Sequence, residues 1–545
     1  MGEGEFKANV MVSAVQGALA EQGEAAQDEM GLTTPGGRYQ VRWDDSGGAT
    51  TLGQLPFFAE FLEVTGLFER WERKCPMAYT SPNAPETKDV LGTWLLSILD
   101  GQSRYAHITG LRGDGVAPGI LGMNKIVSDE SLRRGLAHLA PTLERCPEAQ
   151  RPAREAQLAK TANWMDQALM ESVREALGTD WILDTDATIK LLYGHQDGAE
   201  VSYNPIKPGR PSHVIHTYWI ANVRLVLDAE VQNGKAHAAG HSLPRLILLL
   251  KSLPAEQRPR LVRGDIAFGI DPVMGELEQM AQAYLFKLKQ TTGVKRLIER
   301  LWRQNDWQDV GEGCHAVETR LRLSGWEQDR RVVVMRRAVK QTLAVEKKSA
   351  KTKGQQTLQF ASVVPGKLWE YAVLVTNSAY DLSAIGQLYR DRADCENGFD
   401  ELKNQWGWGG YTTRDLERCN LSARAVALIY NWWSWYVRLA HPKTRREAIT
   451  SRPLLLSGVA RQTSHAGQQR LLVTLVHACS DQIKSMIANV RKGLDTILAI
   501  APQLPKLDRW HALVRYIISK MIAVRHESAL PYPPNLPPAV PLPTG

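Results

Sequence analysis

The sequence predicts an α/β protein: a mixed-sheet core, interrupted by an inserted β-rich segment and flanked by helical regions at both ends. Three observations predict it. At Trp181 the spacing of bulky residues changes from the helical period to short apolar runs. From there the elements read β-β-β-α-β-α-β, and the first and fourth strands deliver acids. Downstream, Ala384 to Trp408 reads as an amphipathic helix.

Residues 1–50, rich in Gly, Glu and Ala, read as a loose, partly disordered arm. Residues 51–178 are helical in pattern, with LPFFAEFLEVTGLFERW and DVLGTWLLSILDG at helical spacing and Ser128 or Asp129 as an N-cap. Arg151 to Leu177 reads as one long helix. On its pattern this region is a packed bundle; it shows no clear helix-turn-helix.

The core falls in two pieces, 179–290 and 370–440. WILDTDATIKLLYG is a strand that carries Asp184 and Asp186. HTYWIANVRLVLDAEVQNG holds two strands around a turn, and RLILLLKSL is a helix. RPRLVRGDIAFG is a strand ending in Asp265, and AYLFKLK is a fifth strand. Between the pieces, residues 291–369 alternate as β structure does in HAVETRLRLSGW and RRVVVMRRAV. The basic run at 347–357 is either a solvated hairpin tip or a phosphate contact. LSARAVALIYNWWSWYVRLA is an aromatic helix suited to packing against the core. Residues 441–526 read as further helices, and the Pro-rich 527–545 as an extended tail.

The chain has 545 residues, net charge +8 and pI about 9.0. That balance permits nucleic acid as a partner without demanding it. The six Cys (75, 146, 314, 395, 419, 479) form no C-x-x-C pair. This argues against a zinc ribbon or disulfide framework and fits a reducing cytoplasm. The N-terminus lacks the basic region of a signal peptide, and no apolar run is long enough to span a bilayer. The expectation is a soluble, cytoplasmic protein with no membrane partner.

Within 384–408, Tyr389, Arg392, Glu396 and Lys403 fall within roughly 60° of arc on a helix turning ~100° per residue. A carboxylate among two cations and a phenol suits a phosphodiester site: the acid can hold a metal while the others hold phosphate oxygens. An exposed helix also carries Arg–Glu pairs at i,i+4 for its own stability, so both readings stand on the helix alone. Carboxylates gathered alone would make an oxygen-only site suited to Mg²⁺ or Mn²⁺ rather than Zn²⁺. Asp184 and Asp186 share a strand face, and either could be the first ligand.

The spacing Tyr-(2)-Arg-(3)-Glu-(6)-Lys resembles the signature of bacterial insertion-sequence transposases of the DDE type. Asp-Ala-Thr at 186–188 resembles that family's first acid. Arg-Gly-Asp at 263–265, followed by Phe268, resembles its second. Val-Leu-Val-Thr-Asn at 373–377 resembles the strand before the signature, and LLYGHQDGAEVSYNPIKPGRPSH the loop and hairpin after the first acid. The resemblance covers about residues 180–480. Ile266 departs from it, standing where a small residue is usual.

The resemblance implies an RNase H-like catalytic core with a β insertion, and residues 51–178 as a DNA-end-binding region. It implies Asp186, Asp265 and Glu396 as the catalytic, metal-binding acids for two Mg²⁺ or Mn²⁺ ions, and Tyr389, Arg392 and Lys403 as contacts to DNA phosphates. The implied partners are double-stranded DNA, as terminal inverted repeats and target, and a second copy in a homodimer; the implied setting is the bacterial nucleoid. In the hairpin-forming branch an aromatic residue of the insertion stacks on a flipped base. Trp302, Trp307, Trp326 and Trp369 are candidates, and each also suits core packing. The implied activity is cut-and-paste transposition. The alternatives are a nuclease of the same fold without strand transfer and a DNA-binding protein whose catalysis has decayed.

Overall fold

The computed structural model describes residues 29–527, apart from 43–46, 340–359, 362–367, 475–477 and the single positions 80, 179, 203, 205, 206, 237, 305, 467 and 501. The basic run at 347–357, the Pro-rich tail and the first 28 residues of the arm lie outside the described residues.

The strands after Trp181 are β4 (Ile182–Leu191), β6 (Pro211–Ile220), β7 (Leu225–Asn233), β8 (Leu261–Gly264) and β9 (Tyr284–Lys287), with the short β5 (Glu200–Val201) between β4 and β6. β4 pairs antiparallel with β6, and β6 with β7. On its other side β4 pairs parallel with β8, and β8 with β9. The order β7-β6-β4-β8-β9 puts β4 at the centre. Its first four residues are buried, as a strand covered on both faces requires.

The β-rich stretch is joined to this same sheet. β14 (Leu368–Thr376) pairs with β9 through Leu374, Val375 and Thr376. β12 (Arg330–Val339), β11 (Cys314–Leu321) and β10 (Gln308–Asp309) continue outward in antiparallel order. The stretch also opens with a helix where β alternation was expected. In Thr292–Leu301 the buried residues are Val294, Leu297, Ile298 and Leu301, a helical spacing.

Helices at both ends of the chain join one continuous apolar core with the sheet, running from Leu52 to Ile517. The long helix expected from Arg151 is α7 (Arg151–Val173), followed by a 3-10 turn. Ser128 is the N-cap of Asp129–Leu139, its hydroxyl accepting from Ser131 N at 3.1 Å. The aromatic helix is α13 (Leu416–Ala440), buried nearly all round. Several of its buried polar groups find partners on other elements. Asn431 accepts from Val226 N (2.9 Å) and donates to Val226 O (2.7 Å), and Trp435 Nε1 donates to Ser172 O (2.9 Å).

Two differences from expectation are short hairpins. Residues 29–42, expected in the loose arm, form an exposed two-stranded ladder. Residues 460–473, expected to be helical, form β15 (Ala460–His465) and β16 (Gln468–Val473), which meet β3 (Ala49–Thr50). Their pairing joins segments some 400 residues apart, so no local period announces it. Among the described residues no helix is long and apolar enough to cross a membrane.

The helix bearing the signature packs closely on β6. A Cβ on Gly398 would lie 2.6 Å from the Trp219 ring. In an exposed helix Gly→Ala gains about 1 kcal/mol, but overpacking a core costs about 1–3 kcal/mol. Gly398→Ala should therefore lower the melting temperature, against the helix-propensity sign. A melting temperature at or above wild type would show that the contact relaxes freely.

Candidate active site

Asp186 lies on β4 and Asp265 directly follows β8. The parallel register pairs Asp184 with Arg263 and Thr185 with Gly264. One step further along both strands come Asp186 and Asp265. Asp265 leaves the sheet through a turn, its Oδ1 accepting from Ala267 N at 2.9 Å.

The signature segment is two helices rather than one. α11 (Leu382–Asp391) and α12 (Ala393–Gln405) meet at Arg392, whose backbone keeps helical angles (φ −62°, ψ −22°). Leu382, Ile385 and Leu388 of α11 seat it on a second apolar cluster with Ile182, Leu261, Leu285 and Leu374 of the sheet. Ile182, Asp184 and Asp186 alternate onto one face, so α11 runs over the face that carries the acids.

Arg392 is turned into the site. Its Nη2 donates to Asp186 Oδ2, and its Nη1 lies 4.0 Å from Glu396 Oε1. Arg392 and Asp186 side chains are each 14% exposed, while Glu396 is 70% exposed. Arg392 is thus no surface partner of Glu396 alone; its closer contact is the buried Asp186. The Asp186 carboxyl is pushed up to about 6, chiefly by burial, with the charges of Asp265 and Glu396 adding and Arg392 opposing. Burial works against the Arg392 charge, but Asp186 and Asp184 outweigh it and hold it charged. Lys403, on α12, is lowered by burial, opposed by Asp400 and Asp186.

Tyr389 is half-buried, with Lys287 Nζ 6.0 Å from its ring centre. It lines a cleft of about 410 Å³ with Arg392, Glu396, Lys287, Arg336 and Arg337. So one cleft joins Tyr389, Arg392 and Glu396 to the strands at 314–337. Arg336 lies between Trp307 and Trp369, 4.0 and 4.6 Å from their ring centres. Trp326 is buried beneath Arg330, and Trp302 is partly buried against the core.

Asp184 is fully engaged elsewhere. Arg263 Nε and Nη2 bind its two oxygens at 2.6 and 2.7 Å, with both side chains at most 2% exposed. Sequence reasoning missed Arg263, Lys287 and Arg336. The matched Asp184-x-Asp186 and Arg263-x-Asp265 spacings carried the signal for the first. Among the described residues no three His, Cys, Asp or Glu side chains gather tightly enough to enclose a metal ion.

The chain matches the family described as "Transposase DDE domain group 1" over residues 35–492. Among curated proteins none matches it. Among solved structures it is similar to a piggyBac transposase in a synaptic complex with hairpin DNA, determined by cryo-EM. The identity is 11%, the TM-score 0.37, and the overlay covers 88% of this chain and 87% of that one. With the family matched across most of its length, the chain belongs to the transposase DDE domain group 1 family.

Proposed function

We propose that this transposase binds the ends of its own insertion sequence, cuts them and joins them to target DNA, with Asp186, Asp265 and Glu396 as its catalytic acids. The observation that carries this reading is the meeting of Asp186, at the end of the adjacent β4–β8 ladder, with Arg392 of the signature. The order β7-β6-β4-β8-β9, three antiparallel strands then two parallel ones, supports an RNase H-like core. Residues 291–369 are then its insertion, and 51–178 the region that grips the element ends. Two ends must be cut and joined together, so the working unit on double-stranded DNA is a homodimer.

The donor set fits a hard divalent ion. It is all carboxylate, and Asp186 already feels the charges of the other two acids. Asp186, Asp265 and Glu396 would hold Mg²⁺ or Mn²⁺; Glu396, exposed on α12, has the freedom to turn inward. When bound, a pair of such ions activates the attacking water or 3′-hydroxyl and stabilises the leaving oxygen. The chain's own cations orient the DNA. Arg392, paired with Asp186 here, can pass to a phosphate as the acid takes its metal. Tyr389 at the cleft wall and the partly desolvated Lys403 contact neighbouring phosphates. Asp184, saturated by Arg263, is left out of the ligand set.

An excision and integration assay on a plasmid carrying the gene and its native flanks tests this reading. Wild type should excise the element cleanly and reinsert it. Glu396→Gln should bind the ends at wild-type affinity and leave them uncut, because it removes a ligand but little contact area. Normal cutting by that variant would remove Glu396 from the site. Nicking without joined products would favour a nuclease, and end binding without cutting in wild type a protein that only occupies ends. Lys403→Ala should weaken end binding about equally for all sequences and reduce the salt slope by about 1; an unchanged slope would place Lys403 off the phosphate path.

A further inference from the structure

We propose that Arg263 is a positioning residue that holds the two acid-bearing strands and α11, the helix leading into the Glu396-bearing α12, in their mutual arrangement, with Asp184 as its anchor. The proposal rests on the catalytic reading above. Arg263 stands on β8 two residues before Asp265, and Asp184 stands on β4 two residues before Asp186. Two of its nitrogens grip both oxygens of Asp184. Its remaining Nη1 donates to Leu388 O at 2.6 Å, at the residue before Tyr389 on α11. One planar guanidinium thus ties β8, β4 and the signature helix at points two residues from each Asp and eight before Glu396. Arginine suits this because its donors form a rigid fork in fixed directions.

Stability alone does not account for the pair. Apolar replacement of a buried ion pair is often neutral or stabilising, whereas removing one partner leaves a costly unpaired charge. What an apolar pair cannot supply is direction. The ladder joining β4 to β8 is only four residues long, and the other polar ties of α11 lie at its C-terminal end, through Arg390 to Gly311 O (3.5 Å) and Glu312 and through the junction residue Arg392 to Asp186.

Two variants test it, each against wild type. Asp184→Leu/Arg263→Met removes both charges together. Arg263→Lys keeps a cation facing Asp184 but cannot reach both carboxylate oxygens and Leu388 O. Three readouts are taken: thermal melting, binding of Mn²⁺ alone followed by its electron paramagnetic resonance signal, and cleavage of a DNA duplex bearing the element end. The double variant should melt near wild type while Mn²⁺ affinity and cleavage rate each fall about 10-fold or more, the range seen when groups that orient ligands are lost. Arg263→Lys should show the same losses. Wild-type Mn²⁺ binding and cleavage in a folded variant would overturn the proposal and leave the catalytic reading standing. Loss of folding in both variants would make the pair a stabilising element and also overturn it. Failure of wild type itself to bind Mn²⁺ or cut would sink the catalytic reading, and the proposal with it.

Discussion

β4 is held antiparallel to β6 through nine residue pairs and parallel to β8 through only four. That short parallel ladder sets the geometry of the site, because it brings the middle of β4 beside the end of β8, which lies far from it in sequence. A parallel pair needs a crossover between its strands, supplied here by β6, β7 and the helix at Leu243–Ser252. With Thr185 opposite Gly264, the next residues along are Asp186 and the threshold of Asp265. A slip of one residue would turn the acid of β4 to the other face of the sheet.

Such a ladder must be supported from outside, and the single core does this. The helices before Trp181 and after Trp408 do not stand apart as independent units; they share apolar contacts with the sheet and with α13. The buried length of α13 carries Arg424, bonded to Asp228, and Asn431 and Trp435, both bonded to Ser172. Arg424 and Arg245 share Asp228 and Asp166 in one partly buried network. Charges in such a place are tolerable because each faces an opposite charge and further hydrogen bonds. A DNA grip built on the N-terminal helices would therefore be mechanically continuous with the sheet that carries Asp186 and precedes Asp265.

At the site, burial and charge act in opposite directions on neighbouring groups. Burial raises Asp186 and lowers Lys403, so each is nearer neutrality than its free side chain. Arg392 alone is held firmly charged, by Asp186 and Asp184 together. On the proposed function, a cation beside Asp186 would favour its ionised form, and Arg392 would then be free to meet a phosphate. The cleft beyond it gathers Lys287, Arg336 and Arg337 together with Glu312 and Glu370, carrying charged side chains of both signs onto the outer strands.

By itself the sequence determined the strand and helix periods, the order of elements from β4 to β9, the positions of the candidate acids and the signature spacing. These are local: a strand alternates, a helix repeats, and an acid at a strand end is visible wherever the strand is. The choice between Asp184 and Asp186 was not local. Both lie on one face, and only the arrival of Arg263 on the neighbouring strand commits the first of them. Nor could spacing tell that Arg392 would turn toward Asp186 rather than pair on the surface with Glu396, or that 308–339 would extend the main sheet. Trp307 and Trp369 read alike as core residues, yet they flank Arg336 from separate segments. In each case the deciding partner is distant in sequence, and a pairing of that kind is fixed by register and packing, which exist only once the chain has folded.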